Sequence, residues 1–137
     1  MKTILLSIAV LACVTVQGQS SLSYTCFISD NGKMAISAGF NDDGKIVHVK
    51  YRGQKDSIVL KFIKEVQVPE GYKTITRQIY NEYLKGKLNG IYVYDDYWGM
   101  GASLTYTRKK DKKKFEFHLD RERDENFEFT NRATPCY

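Results

Sequence analysis

Met34-Ala35-Ile36-Ser37-Ala38-Gly39-Phe40, then Asn41-Asp42-Asp43-Gly44, then Val47-His48-Val49-Lys50-Tyr51: these residues decide the fold. Met34, Ile36, Ala38 and Phe40 share one face of an extended chain, with Ala35, Ser37 and Gly39 opposite. That period of two belongs to a strand with one buried side. Asn, Asp and Gly tolerate the backbone of a tight turn, so the next four residues reverse the chain. Val47, Val49 and Tyr51 then form another inward set, opposed by His48 and Lys50.

The pattern extends both ways. Upstream, Leu22, Tyr24, Cys26 and Ile28 alternate with Ser23, Thr25 and Phe27, and Asp30-Asn31-Gly32 turns the chain. Downstream, Arg52 to Asp56 breaks the alternation; Ile58, Leu60 and Phe62 resume it toward Val66 and Val68, and Pro69-Glu70-Gly71 stops it. Tyr72 to Leu84 reads two ways. Ile75, Ile79 and Tyr83 have helical spacing, but the β-branched and aromatic content favours a strand. Gly86 and Asn89-Gly90 look like hairpin chemistry before Ile91-Tyr92-Val93-Tyr94 returns. The glycine-punctuated loop Asp95 to Gly101 follows. Strands then begin at Leu104 and Phe115 around a charged turn, with a last short one at Phe127-Glu128-Phe129. The expectation is an all-β chain: a single antiparallel meander of about eight short strands, folded as a closed, lipocalin-like barrel or as a sandwich.

Lys2 and the apolar run Ile4 to Val16 read as a secretory signal, with Val16 and Gly18 as the small-residue cleavage site. Residues 1–18 are expected to be removed, and 19–137 to form one secreted or periplasmic domain. Val10-Leu11-Ala12-Cys13 also resembles a lipoprotein box, making anchoring at Cys13 a minor alternative. The run is too short to span a bilayer, and no later stretch comes closer, so no transmembrane segment is expected. Without the signal, Cys26 and Cys136 are the only cysteines. In an oxidising compartment they are expected to form a disulfide, rather than a redox pair with no CxxC spacing. Without Lys2 the Lys+Arg count falls from 21 to 20 against 16 Asp+Glu, a formal +4 that does not call for a nucleic-acid partner.

Nothing in the chain carries a catalytic signature. His48 and His118 match no metal spacing, and the pairs Asp42-Asp43 and Asp95-Asp96 sit where turns need aspartate. No metal and no cofactor are expected. Two groups suit recognition instead. Tyr92, Tyr94, Tyr97 and Trp98 crowd together, each joining apolar area to a polar handle. Lys112, Lys113 and Lys114 close a run, Arg108 to Lys114, interrupted only by Asp111, that suits an anionic partner. The same lysines also read as a solvated hairpin tip, with Arg121 to Glu125 placed to neutralise part of them.

Tyr24-Thr25-Cys26, Cys136 and Trp98-Gly99-Met100-Gly101-Ala102-Ser103-Leu104 resemble the membrane-bound C-type lysozyme inhibitor family. The resemblance implies a small secreted β-barrel that inhibits an enzyme. It touches about a dozen residues, and that family's Ser-Gly-x-x-Tyr inhibitory motif is absent. The functional expectation is a secreted, non-enzymatic binding module for an extracellular or periplasmic ligand or protein. The alternatives are a small barrel hydrolase or isomerase using His48 or His118, and an inhibitor of a secreted enzyme such as lysozyme.

Overall fold

The computed structural model describes residues 21–123 and 132–137. Eight strands run in chain order: β1 (Ser23–Ser29), β2 (Ala35–Phe40), β3 (Ile46–Tyr51), β4 (Ile58–Glu70), β5 (Lys73–Leu84), β6 (Lys87–Asp96), β7 (Ala102–Arg108) and β8 (Lys114–Leu119). Each pairs antiparallel with the next, and β8 returns to β1, so the meander closes as a barrel, not a sandwich. The anticipated signal and the Phe127–Phe129 strand lie outside the described residues.

Eight strands enclose a space that side chains can fill. Phe27, Ile36, Val49, Tyr80, Tyr92 and Leu104 fill it and are all inaccessible to solvent. In β1 the phase is the reverse of the sequence expectation. Phe27 points into the core, while Tyr24 lies on the outer wall against His48, ring centroids 5.7 Å apart. Cys26 is buried all the same, because it meets Cys136 outside the barrel. In β3 a bulge at Val47 moves the inward set to Ile46 and Val49, with Phe40 opposite Ile46 and Gly39 opposite His48. β2 is buried on both faces. The C-terminal segment covers its outer side, where the Cys136 amide donates to Ser37 Oγ at 3.0 Å.

Residues 73–84 form a strand, since Gln78, Tyr80 and Glu82 are all buried at period two. Its hairpin turn is Lys85-Gly86, both residues at positive φ, and Asn89-Gly90 lies inside β6 instead. Gly90 is needed there for another reason. A Cβ would fall 2.2 Å from the Tyr106 ring, which packs flat on this gap in the sheet. The Tyr106 hydroxyl donates to Glu82 at 3.2 Å, and Asn89 also donates to that buried carboxylate.

The wall is thinnest between β3 and β4, paired only at His48–Val59 and Val49–Ile58. Beyond these, β4 stays with β5 as far as Glu70–Lys73 and leaves the barrel wall. Side chains bridge the split. The Ile46 amide donates to the Tyr80 hydroxyl at 2.9 Å, and that hydroxyl donates to Gln78. Gln78 Nε2 donates to the Gly44 carbonyl at 3.2 Å and to Glu65 at 2.9 Å, while Lys45 pairs with Glu65.

Candidate functional site

An antiparallel meander sorts its turns by end. The β1–β2, β3–β4, β5–β6 and β7–β8 turns share one end, hereafter the four-turn end. The β2–β3, β4–β5 and β6–β7 turns share the other, the three-turn end. The two recognition groups therefore separate: the Tyr97-Trp98 loop is at the three-turn end, and Lys112, Lys113 and Lys114 are at the four-turn end.

The aromatic group divides further. Tyr92 is at the centre of the core, its hydroxyl 2.9 Å from that of Tyr51, with no path to solvent. Tyr94 also points inward but lies nearer the three-turn end, packing edge-on against Phe27 and Phe40. With Phe40, Ala102 and Leu119 it lines the barrel mouth there, a space of about 670 Å³ rimmed by Thr25, Asn41 and Asp96. Only Tyr97 and Trp98 reach the outer surface of that end. They form one wall of a cleft of about 800 Å³ whose other wall is the projecting β4–β5 hairpin, Glu70 to Ile75.

Local geometry holds Trp98 out. The Met100 amide donates to the Tyr97 carbonyl at 3.2 Å, so Trp98 and Gly99 form the centre of a tight turn, at φ +56° and +73°. Asp96 Oδ1 accepts the Trp98 amide at 3.0 Å. Positive φ is uncommon for any residue but glycine, and a bulky side chain there marks a position fixed by its surroundings. The indole is 71% exposed, Met100 62% and Tyr72, on the facing hairpin, 100%. Sequence reading found Tyr97 and Trp98 but missed Tyr72 and Met100. Tyr72 is twenty-six residues from Trp98, and only the overlong β4–β5 ladder brings the two together.

Of the acidic pairs, Asp95 and Asp96 end β6 and have bonded partners, whereas at Asp42-Asp43 it is Asn41 that makes the turn. Asn41 Oδ1 accepts the Asp43 and Lys45 amides, making Asn41 to Gly44 a turn, and Asp95 takes a bidentate pair of 2.7 Å bonds from Arg77. His48 packs on the outer wall over Gly39, where partial burial lowers its pKa. His118 Nδ1 is 3.1 Å from Asp30 Oδ1, but both side chains are open to water, at 55% and 89% exposure. Among the described residues no group of three or more His, Cys, Asp or Glu is placed to hold a metal ion. No helix among them is long and apolar enough to cross a membrane.

Cys26 and Cys136 are disulfide-bonded, their Cα atoms 5.8 Å apart, which is consistent with an extracellular or periplasmic protein. The chain matches no protein-family model, no curated protein and no solved structure.

Proposed function

We propose that this chain is a non-enzymatic binding module of an extracellular or periplasmic space, taking an apolar group of its partner into the Tyr72–Trp98–Met100 cleft. The observation that carries this reading is the exposed Trp98, held at positive φ opposite a hairpin that projects beyond the barrel. An isolated exposed aromatic needs no explanation, but three large apolar side chains around one cleft form a patch of the kind that marks interaction sites. Side chains fill the barrel centre and leave only the mouth around Tyr94 open, and the exposed apolar side chains favour the outer cleft over that mouth. The hydrolase or isomerase alternative has one observation in its favour, the His118–Asp30 pair, but both side chains are exposed and, among the described residues, no third side chain is bonded to either.

Trp98 is the protein's single tryptophan, so its fluorescence reports on the cleft alone. Partners captured from the secreted or periplasmic fraction by the native protein are expected to shift that emission to the blue. Trp98→Ala with Met100→Ala is expected to weaken capture by about 2–4 kcal/mol, as buried hot-spot aromatics do. Unchanged affinity in the folded double variant would refute the assignment.

A further inference from the structure

The four-turn end carries a different chemistry. All four of its turns present lysine: Lys33 on β1–β2, Lys55 on β3–β4, Lys85 and Lys87 around β5–β6, and five in Lys109 to Lys114 on β7–β8. All of these lysines are exposed. Three carboxylates share the turns, Asp30, Asp56 and Asp111. Asp111 is already engaged by Arg108, through bonds of 3.0 and 2.6 Å, so it does not neutralise the lysines beside it. Nor does Glu122. β8 carries the chain about 20 Å from the lysine turn before reaching it, and Arg123 then docks on the Cys136 carbonyl at the outer wall.

The turns are braced as well as charged. The Lys109 amide donates to the Asn89 carbonyl at 2.9 Å, fixing the β7–β8 turn to the neighbouring hairpin. Lys113 Nζ lies 5.2 Å from the Phe115 ring centroid. Lys85 and Lys112 are two of the three non-glycine residues at positive φ among those described, both at turn tips of this end. Leu84, beside Lys85, is 59% exposed, and Tyr83 is 45% exposed.

From this arrangement we infer that the four-turn end docks on an anionic lipid surface, with the lysines at the phosphate level and Leu84 and Tyr83 entering the interface. A ring of turn tips around a barrel end presents a broad face, whereas a linear polyanion is met by a groove or a stripe. Exposed leucine and tyrosine beside the cations fit the boundary between headgroups and acyl chains, where apolar area and charge attraction both contribute. The orientation that results points the Trp98 cleft away from the lipid. The inference does not depend on the binding role proposed for that cleft.

The test is co-sedimentation of the native, disulfide-bonded protein with phosphatidylcholine vesicles, with and without phosphatidylglycerol. Binding is expected only with phosphatidylglycerol, and is expected to fall steeply with salt. Lys85→Gln, Lys87→Gln and Lys112→Gln combined are expected to weaken it at least tenfold. Leu84→Ser is expected to weaken it while leaving the salt dependence in place, which a phosphate-only or polysaccharide site would not do. Trp98→Ala is expected to bind as the parent does, with no shift of the parent's Trp98 emission on binding. Vesicle binding that needs Trp98 rather than the lysines would overturn the proposal. So would tight binding of a heparin fragment with none of anionic vesicles, or binding of neither. All these substitutions are at exposed turn or strand-end positions, and near-ultraviolet circular dichroism verifies the fold of each variant.

Discussion

Tyr92 and Tyr94 show how far a single residue can be read. Their alternation with Ile91 and Val93 was legible, but which pair faced water was not, because both pairs suit a half-buried strand. The structure turns the tyrosines inward and leaves Ile91 38% exposed. A tyrosine fits a barrel core only if its hydroxyl finds a partner, and Tyr92 finds Tyr51. Burial then penalises the phenolate. Tyr51 and Tyr80 are pushed up to about 12, and the pKa of Tyr92, Tyr94 and Tyr106 is raised as well. The ordinary tyrosine value is about 10. Above it the unfolded chain releases phenolic protons that the folded chain retains, so the folded state binds more protons and rising pH favours unfolding. The stability from these groups is therefore full below pH 10 and is lost as pH rises from 10 through 12. An alkaline titration is expected to show part of the tyrosinate absorbance appearing together with loss of the near-ultraviolet dichroism. Smooth ionisation of all tyrosines with the fold intact would contradict the burial.

At the scale of the element, the strands were legible because alternation and turn residues agree along most of the chain. Where they disagreed, in residues 72–84, the apolar residues were a poor guide. Ile75 is buried on the outer face, in the cleft beside Trp98, and Tyr83 is exposed, while the positions that alternate inward between them are Gln78, Tyr80 and Glu82. Two polar side chains inside a strand's buried face look like a solvent face in a sequence. Gln78 has its use at the β3–β4 split and Glu82 as acceptor for Asn89 and Tyr106, and both depend on pairing between distant segments that leaves no local signature. Tyr80 is central to the split: one hydroxyl accepts the Ile46 amide and donates to Gln78. Tyr80→Phe keeps the ring and removes both bonds, leaving a buried donor and a buried acceptor unmatched. The expected loss is about 1–3 kcal/mol in denaturant unfolding. Hydrogen exchange at the Ile46 amide is expected to accelerate more than at Val49, whose strand pairing the substitution leaves untouched. Equal acceleration at both would mean that the split is held by something other than this hydroxyl.

For the whole molecule, the sequence could pair the two cysteines but could not say what their bond holds. Nor could it show that the aromatic loop and the lysine turn face opposite ways, since that follows from the closed order of the strands. The closing seam is the shortest but one in the barrel: β1 meets β8 only from Phe27 to Ser29. Nearer the start of β1, the edge is occupied by the C-terminal segment. The Tyr24 amide donates to the Arg132 carbonyl at 2.8 Å, and the Arg132 amide returns the bond at 3.1 Å. Farther along, Cys136 bonds to Cys26, its amide donates to Ser37, and Tyr137 donates to Asp120. The tail thus fastens the edge of β1 and covers β2 from outside, and the disulfide is the covalent part of that fastening. Closing a loop of 110 residues restricts the unfolded chain by about 4–5 kcal/mol in the chain-entropy model. Replacing both cysteines by alanine removes that restriction and loosens the tail. The expected cost is about 2–5 kcal/mol in denaturant unfolding under otherwise equal conditions. Location separates the two contributions. If the bond acts only through the unfolded chain, the variant's native-state hydrogen exchange changes evenly among amides that open by global unfolding. If it also fastens the seam, the Tyr24 and Asp120 amides lose protection first, while those of the β5–β6 and β6–β7 ladders follow global stability alone. The placement of Arg132 and Tyr137 calls for the second result, and an even loss of protection across the barrel would show that the tail holds its place without the bond.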